Sequence, residues 1–333
     1  MQKNKFLTLA LAGVLAFGVA ACGDDEESGS GSGGGSSAST TESSEKASGT
    51  IRIDGSSTVA PLSEAAAELF QEENPDVRVT VGTSGTGGGF EKFCAGETDI
   101  SDASRQIKEE EVALCKEGGI TYEEVQVAND ALSVVVNPEN PVTCLSVEQV
   151  SQIWNKGSKV KTWADVEGDL GADVGAENMA LYGPGTDSGT FDYFTEAING
   201  EEGVSRSDYN NIGEDDNAVI SGVAGDKWAL GYVPYSFITE AEGQVKPLQI
   251  KNPDTGECVD PTLENVQAGT YAPLGRALYV YPSGDALKKP EVLQFLTFYL
   301  ENNDVITEAA TFVPMTEEQK QSALDKVHTL AGS

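Results

Sequence analysis

Three times along this chain a short apolar run gives way to a turn of glycine and small hydroxyl residues, and then to a helical pattern. In the central case Met179-Ala-Leu-Tyr182 reads as a buried strand and Gly183-Pro184-Gly185 as a turn. Asp187-Ser188 reads as the N-cap of a helix with Phe191, Phe194, Ala197 and Ile198 on one face. Ile51-Arg-Ile-Asp-Gly-Ser-Ser-Thr-Val-Ala-Pro61 repeats the scheme, as does Val77-Arg-Val-Thr-Val-Gly-Thr-Ser-Gly-Thr-Gly-Gly-Gly89. Each helix start leaves backbone N–H groups unpaired at the positive end of a dipole, which favours an anion. One such loop is commonplace, since Ser57, Thr58 or Asp102 can each act as a simple cap. Three together can converge on one small oxyanion.

The pattern continues between these loops. Leu62, Ala65, Ala66, Leu69 and Phe70 follow helical spacing up to Asn74-Pro75, and Val77 to Val81 alternates as a strand. Lys108 to Lys116 is expected to be a charged helix with Val112 and Leu114 inward. Val125 to Val136 is long and β-rich with a polar break at Asn129-Asp130, a candidate first crossing between lobes. Ala229-Leu-Gly-Tyr-Val-Pro-Tyr235 is the candidate return crossing. Helices are expected at Val147 to Trp154, Glu214 to Ala224, Val292 to Leu300 and Thr316 to Val327, with a strand at Leu274 to Tyr281. Alternation of strands and helices gives an α/β class with mostly parallel sheets. Ligands in such sheets sit beyond the carboxyl ends of strands, where all three loops lie.

Lys3 and Lys5 precede an apolar run from Phe6 to Ala21 that ends in Val19-Ala-Ala-Cys22. Residues 1–21 therefore read as a lipoprotein signal peptide and Cys22 as its lipidation site, which would anchor the chain to the outer face of a membrane, in a periplasm or on a cell surface. Residues 22–49 are rich in glycine, serine and acids and read as a flexible tether. Of the four remaining cysteines, three pairings are open. Closeness in sequence favours Cys94 with Cys115, which leaves Cys144 with Cys258. Metal binding is a poor reading of them, because no C-x-x-C occurs and His328 is the only histidine.

The formal charge is -33, and -35 once Lys3 and Lys5 leave with the signal peptide. Such a field argues against a nucleic-acid surface and repels an anionic ligand at long range. Local dipoles and an arginine must then prevail at short range.

Asp54-Gly-Ser-Ser-Thr-Val, Gly82-Thr-Ser-Gly-Thr-Gly-Gly-Gly, Ile100-Ser-Asp-Ala-Ser-Arg and Asp187-Ser-Gly-Thr stand in this order and at these separations. Together with Cys144-Leu-Ser-Val-Glu-Gln-Val-Ser-Gln-Ile-Trp154 and Leu230-Gly-Tyr-Val-Pro-Tyr235, they resemble the phosphate-binding lipoproteins of bacterial phosphate ABC transporters. The resemblance covers the chain from about Thr50. It implies a two-lobed periplasmic-binding-protein fold of type II with a hinge of two crossing segments. Lobe one is expected to hold residues 50–130 and 236–333, and lobe two residues 131–235. It further implies a monomeric receptor that captures inorganic phosphate and hands it to an ABC permease, without metal or cofactor.

By motif, the resemblance assigns ligand contacts to Ser57, Thr58 and the Val59 amide, to Ser84 with Thr86, and to Ser188, Gly189 and Thr190. It makes Asp102 the carboxylate that accepts a hydrogen bond from a protonated oxygen of the ligand and rejects sulfate, which carries no proton. Where some members carry an arginine before Ser-Gly-Thr, this chain has Pro184-Gly185-Thr186. Arg105 is the expected replacement, oriented by Asp187. Sulfate or arsenate is the alternative ligand. From other classes come a surface interaction protein and a phosphatase-like enzyme. The last is disfavoured because neither Ser84 nor Ser188 sits in G-x-S-x-G and no loop carries a P-loop lysine.

Overall fold

The computed structural model describes residues 47–213, 215–241 and 243–332. The expected signal peptide, Cys22 and most of the expected tether lie outside the described residues. Among the described residues no helix is long and apolar enough to cross a membrane.

The N-terminal elements alternate as the sequence pattern predicts: β1 (Gly49–Gly55), α1 (Ala60–Glu73), β2 (Val77–Gly82), α2 (Gly85–Cys94), β3 (Ile100–Ala103) and α3 (Glu109–Gly118). A long strand follows, β4 (Val125–Val136), then β5 (Cys144–Ser146), α4 (Val147–Trp154), β6 (Leu181–Gly183), α5 (Gly189–Asn199), β7 (Asn210–Asn211), α6 (Asp216–Ala224) and β8 (Leu230–Pro234). Next come α7 (Tyr235–Glu240), β9 (Lys246–Pro247), β10 (Gln249–Lys251), β11 (Cys258–Val259) and α8 (Leu263–Gln267). The chain closes with β12 (Gly275–Pro282), α9 (Gly284–Leu287), α10 (Pro290–Glu301), α11 (Asn303–Ala309) and α12 (Glu317–Ala331). Two helices begin with reciprocal caps, Ser146 with Gln149 for α4 and Thr316 with Gln319 for α12.

One sheet runs through the molecule in the order β2-β1-β3-β12-β4-β8-β6-β7, with β9 beside β4. Its flanks are parallel, β1 to β2 and β3 on one side and β6 to β7 and β8 on the other. Its centre is antiparallel, because β12 runs against both β3 and β4, and β4 against β8. The expected mostly parallel sheet is thus a mixed one. β4 is unbroken at Asn129-Asp130, whose side chains are buried instead.

The two larger of four hydrophobic cores among the described residues explain the sheet. Val125, Val127 and Ala128 of β4, with Leu278 and Val280 of β12, pack with Ile51, Leu62, Phe70, Phe295 and Tyr299. Phe70 meets Phe295 and Phe298 edge-on at centroid distances of 5.5 and 5.4 Å. The other end of β4, Leu132, Val134 and Val136, packs with Trp154, Phe194 and Tyr232. β4 therefore passes from one core to the other, while β12 packs in the first and follows directly on Leu274 of the second. Leu248, Ile250, Val266, Tyr271 and Leu274 belong to the second core, where a boundary at 236 would assign them to the first. β8 does not cross. The reason is the long-range pairing of β10 with β5, which keeps the 246–260 segment beside the second core.

The cysteines pair as Cys94–Cys115 and Cys144–Cys258. The first bridge sets the rotation of α3. Cys115 and Glu111 face inward, while Val112 and Leu114 are 41% and 45% exposed, reversing the expected face. Removing this bridge as Cys94→Ser with Cys115→Ser, which closes a loop of separation 21, is expected to lower stability by about 3 kcal/mol. Denaturant unfolding checks it, and a loss under about 1 kcal/mol would place the stabilisation of α3 in the Arg105–Glu111 pair instead.

Candidate functional site

β1 ends at Gly55, and the Ser56 amide donates to the backbone oxygen of Asp102 at 2.9 Å. The first amide to enter the helical ladder of α1 is that of Ala60, which donates to Ser56 O at 3.0 Å. The amides of Ser57, Thr58 and Val59 therefore precede the ladder, at the positive end of the helix dipole. At α5 the Ser188 hydroxyl accepts from the Thr190 amide at 3.3 Å, and the ladder starts with Asp192 N to Ser188 O at 3.1 Å. This is the cap that Asp187-Ser188 predicts.

The third loop differs from expectation. Ser84 gives both its amide and its hydroxyl to the Asp54 carboxylate, at 3.1 and 2.5 Å. Asp54 also holds Lys92 at 2.6 Å. Burial raises the Asp54 carboxyl, but Lys92 and Ser84 outweigh it and hold it below the usual range. Ser84 thus fastens the loop to β1 and lines neither cavity described below. Thr86 does line one, with its hydroxyl 3.1 Å from that of Ser104.

A cavity of about 310 Å³ is lined by Ser57, Thr58, Ser188, Gly189, Thr190 and Tyr193, with Asp130 at its wall. A smaller pocket of about 60 Å³ adjoins it, sharing Ser57, Thr58 and Tyr193 and adding Thr86 and Arg276. So the structure brings the three hydroxyl-rich loops together. The walls are also acidic: Asp192, Glu196 and Glu202 line the smaller pocket. Burial, then the charges of Glu202, Asp187 and Glu196, push the Asp192 carboxyl above its usual range. Thr311, a β-branched residue with φ of 62°, lies in the wall of the larger cavity. Such a conformation is strained for this residue type.

Two expected residues stand elsewhere. Arg105 is held fork to fork by Glu111, with Nη1 and Nη2 each 2.8 Å from a carboxylate oxygen. Burial raises the Glu111 carboxyl, but Arg105 and the Lys108 amide more than reverse this and keep it low. Arg105 borders a third, adjoining cavity but neither of the two that the loops enclose. Asp187 accepts from the Thr186 hydroxyl at 3.4 Å rather than orienting Arg105. Asp102 is fully buried and lines neither cavity. Its Oδ1 accepts from the Ser63 hydroxyl of α1 at 3.0 Å, and its Oδ2 has no partner among the described residues.

The residue that sequence reasoning missed is Arg276, at the start of β12. The available signal was Asp130, a carboxylate within the long apolar run of β4, since a buried carboxylate requires a cation. Strand register places Arg276 opposite Asp130, and Nε stands 3.2 Å from Asp130 Oδ2. Burial still pushes the Asp130 carboxyl above its usual range against the pull of Arg276.

The sequence matches the PBP superfamily domain over residues 40–303. It is 43% identical to Protein SphX of Synechococcus elongatus over 280 residues, covering 83% of this chain and 80% of that one. It is 37% identical to the phosphate-binding protein PstS of Staphylococcus saprophyticus over 289 residues, covering 85% and 87%. Its fold resembles the crystal structure of a possible phosphate binding protein from Planctomyces limnophilus, with a TM-score of 0.80, 42% identity, and coverage of 86% of this chain and 99% of that one.

Proposed function

The chain belongs to the PBP superfamily, and from that premise we propose that it captures inorganic phosphate outside the cytoplasm and delivers it to an ABC-type permease. The observation that carries the reading is the meeting of three hydroxyl-rich helix starts, at Ser57–Thr58, Thr86 and Ser188–Thr190, around two adjoining cavities. Amides and hydroxyls of this kind solvate an oxyanion without metal. The proposed contacts are Ser57, Thr58, the Val59 amide, Thr86, Ser188, Gly189 and Thr190. The names of the relatives support phosphate over sulfate or arsenate.

The two lobes proposed are residues 47–130 with 275–332, and residues 131–274. Their connections would be β4 and β12, and closure would be a hinge motion about them. Attachment to a membrane through Cys22 remains part of the proposal, as does a monomeric state.

The test is titration calorimetry of the purified protein, unfolded and refolded beforehand to strip carried-over ligand. Phosphate is expected to bind and sulfate to give no heat at neutral pH. Sulfate binding alone would leave the oxyanion cradle and overturn the ligand. No response to phosphate, arsenate or sulfate would remove the binding-protein reading.

A further inference from the structure

Among the described residues whose charged side chains line the two adjoining cavities, Arg276 is the only cation, set among Asp130, Asp192, Glu196, Glu202 and Asp216. A cavity walled so heavily by carboxylates admits an anion only where a cation faces it. Arg105, the candidate by motif, has both terminal nitrogens occupied by the buried Glu111.

Arg276 is fixed at its base and loose at its tip. Nε is tied to Asp130, which is itself buried. The guanidinium carbon lies 3.5 Å from the centroid of the Tyr193 ring. That stack sets the plane of the fork. Tyr193 is anchored in turn by its hydroxyl, which donates to Pro273 O at 3.0 Å. Among the described residues the two terminal nitrogens have only weak partners. Nη2 is 3.5 Å from the Thr58 hydroxyl, and Nη1 is 3.7 Å from Glu196, whose side chain is 51% exposed. An ion pair that long and that wet is worth little. It is easily exchanged for an oxyanion held in the pocket.

We propose, on the phosphate reading above, that Arg276 is the cationic contact of the bound oxyanion. Asp130 and Tyr193 hold it ready, and Glu196 occupies its tip until the ligand replaces it. The contacts of Arg276 span both cores, since Thr58 precedes α1 of the first while Tyr193 and Glu196 lie on α5 of the second. Ligand bound to its tip therefore joins the two.

The experiment is calorimetric titration of the purified protein and its variants with inorganic phosphate, with thermal unfolding of each variant as a check on folding. Arg276→Ala is expected to weaken phosphate binding by about tenfold to a hundredfold, the range for a charged hydrogen bond. Arg276→Lys retains the charge but not the fork, and is expected to weaken it by roughly threefold to tenfold. Arg105→Ala is expected to stay within about threefold of the parent, because Glu111 already holds both terminal nitrogens of Arg105. Glu196→Gln removes the competitor and is expected to tighten binding by roughly twofold to fivefold, and to do so less in an Arg276→Ala background.

A parent that binds phosphate with Arg276→Ala within about threefold of it would overturn the inference alone, as would a loss in Arg105→Ala equal to that in Arg276→Ala. If Arg276→Ala does not fold, unchanged binding by Arg276→Lys overturns the inference. A parent that binds no oxyanion removes this inference together with the reading it rests on.

Discussion

Gly55→Ala is expected to lower stability by roughly 4 kcal/mol or more, or to prevent folding, in the range reserved for backbone strain and core clash together. Gly55 has φ of 150°, a conformation that residues with a side chain rarely adopt. A Cβ there would lie 2.1 Å from the backbone oxygen of Asp102 and 2.9 Å from its amide nitrogen. Neither atom can retreat, because Gly55 pairs with Asp102 across β1 and β3, and the adjoining Ser56 amide bonds that same oxygen. The close approach extends to α2, where a Cβ on Gly89 would meet Gly55 Cα at 2.5 Å. Two glycines thus let the start of α2 press onto the end of β1. Thr86 thereby reaches the pocket that Ser57 and Thr58 line. Urea unfolding measures the effect. A loss below about 1 kcal/mol would show that β1 and β3 can part at this point, contrary to the register.

Much of this site was legible locally. A strand, a glycine turn and a hydroxyl cap are short-range signals, so Ser57, Thr58, Ser188 and Thr190 could be read as one constellation. The disulfide pairing followed from closeness in sequence, and the cap of α5 from Asp187-Ser188 alone. Long-range register was not legible. Arg276 meets Asp130 only because β12 lies antiparallel to β4, and no local pattern carries that. The motif reading gave its place to Arg105, which the start of α3 captures through Glu111. The same limit moved the end of the second core from Tyr235 to Leu274, since β10 joins β5 across a long separation in sequence. Ser84 and Thr86 are two residues apart, and the sequence could not tell which of them the Asp54 carboxylate would claim.

Asp102→Asn is expected to raise stability at pH 8 relative to the parent while changing little near pH 4. Burial, against the Ser63 hydroxyl and with the charges of Asp54 and Glu64, pushes the Asp102 carboxyl up from 3.8 to about 8. Between those values the folded chain keeps a proton that the unfolded chain has released. Stability then falls as pH rises through that window, by up to about 1.4 kcal/mol per pH unit. Over the whole window this amounts to about 5 kcal/mol at most. Asparagine has the shape of the protonated acid, keeps an acceptor for Ser63, and cannot ionise. The difference between variant and parent should therefore grow from pH 4 to pH 8, while the other carboxylates cancel in the comparison. Urea unfolding of both proteins at pH 5, 6.5 and 8 measures it, and parallel pH profiles would show that Asp102 ionises freely in the folded chain. The same variant decides the part of Asp102 in selectivity. A carboxyl turned toward Ser63 and absent from both cavity walls should leave the preference for phosphate over sulfate unchanged. A preference that collapses in Asp102→Asn would mean that ligand binding draws the unpartnered Oδ2 onto the oxyanion.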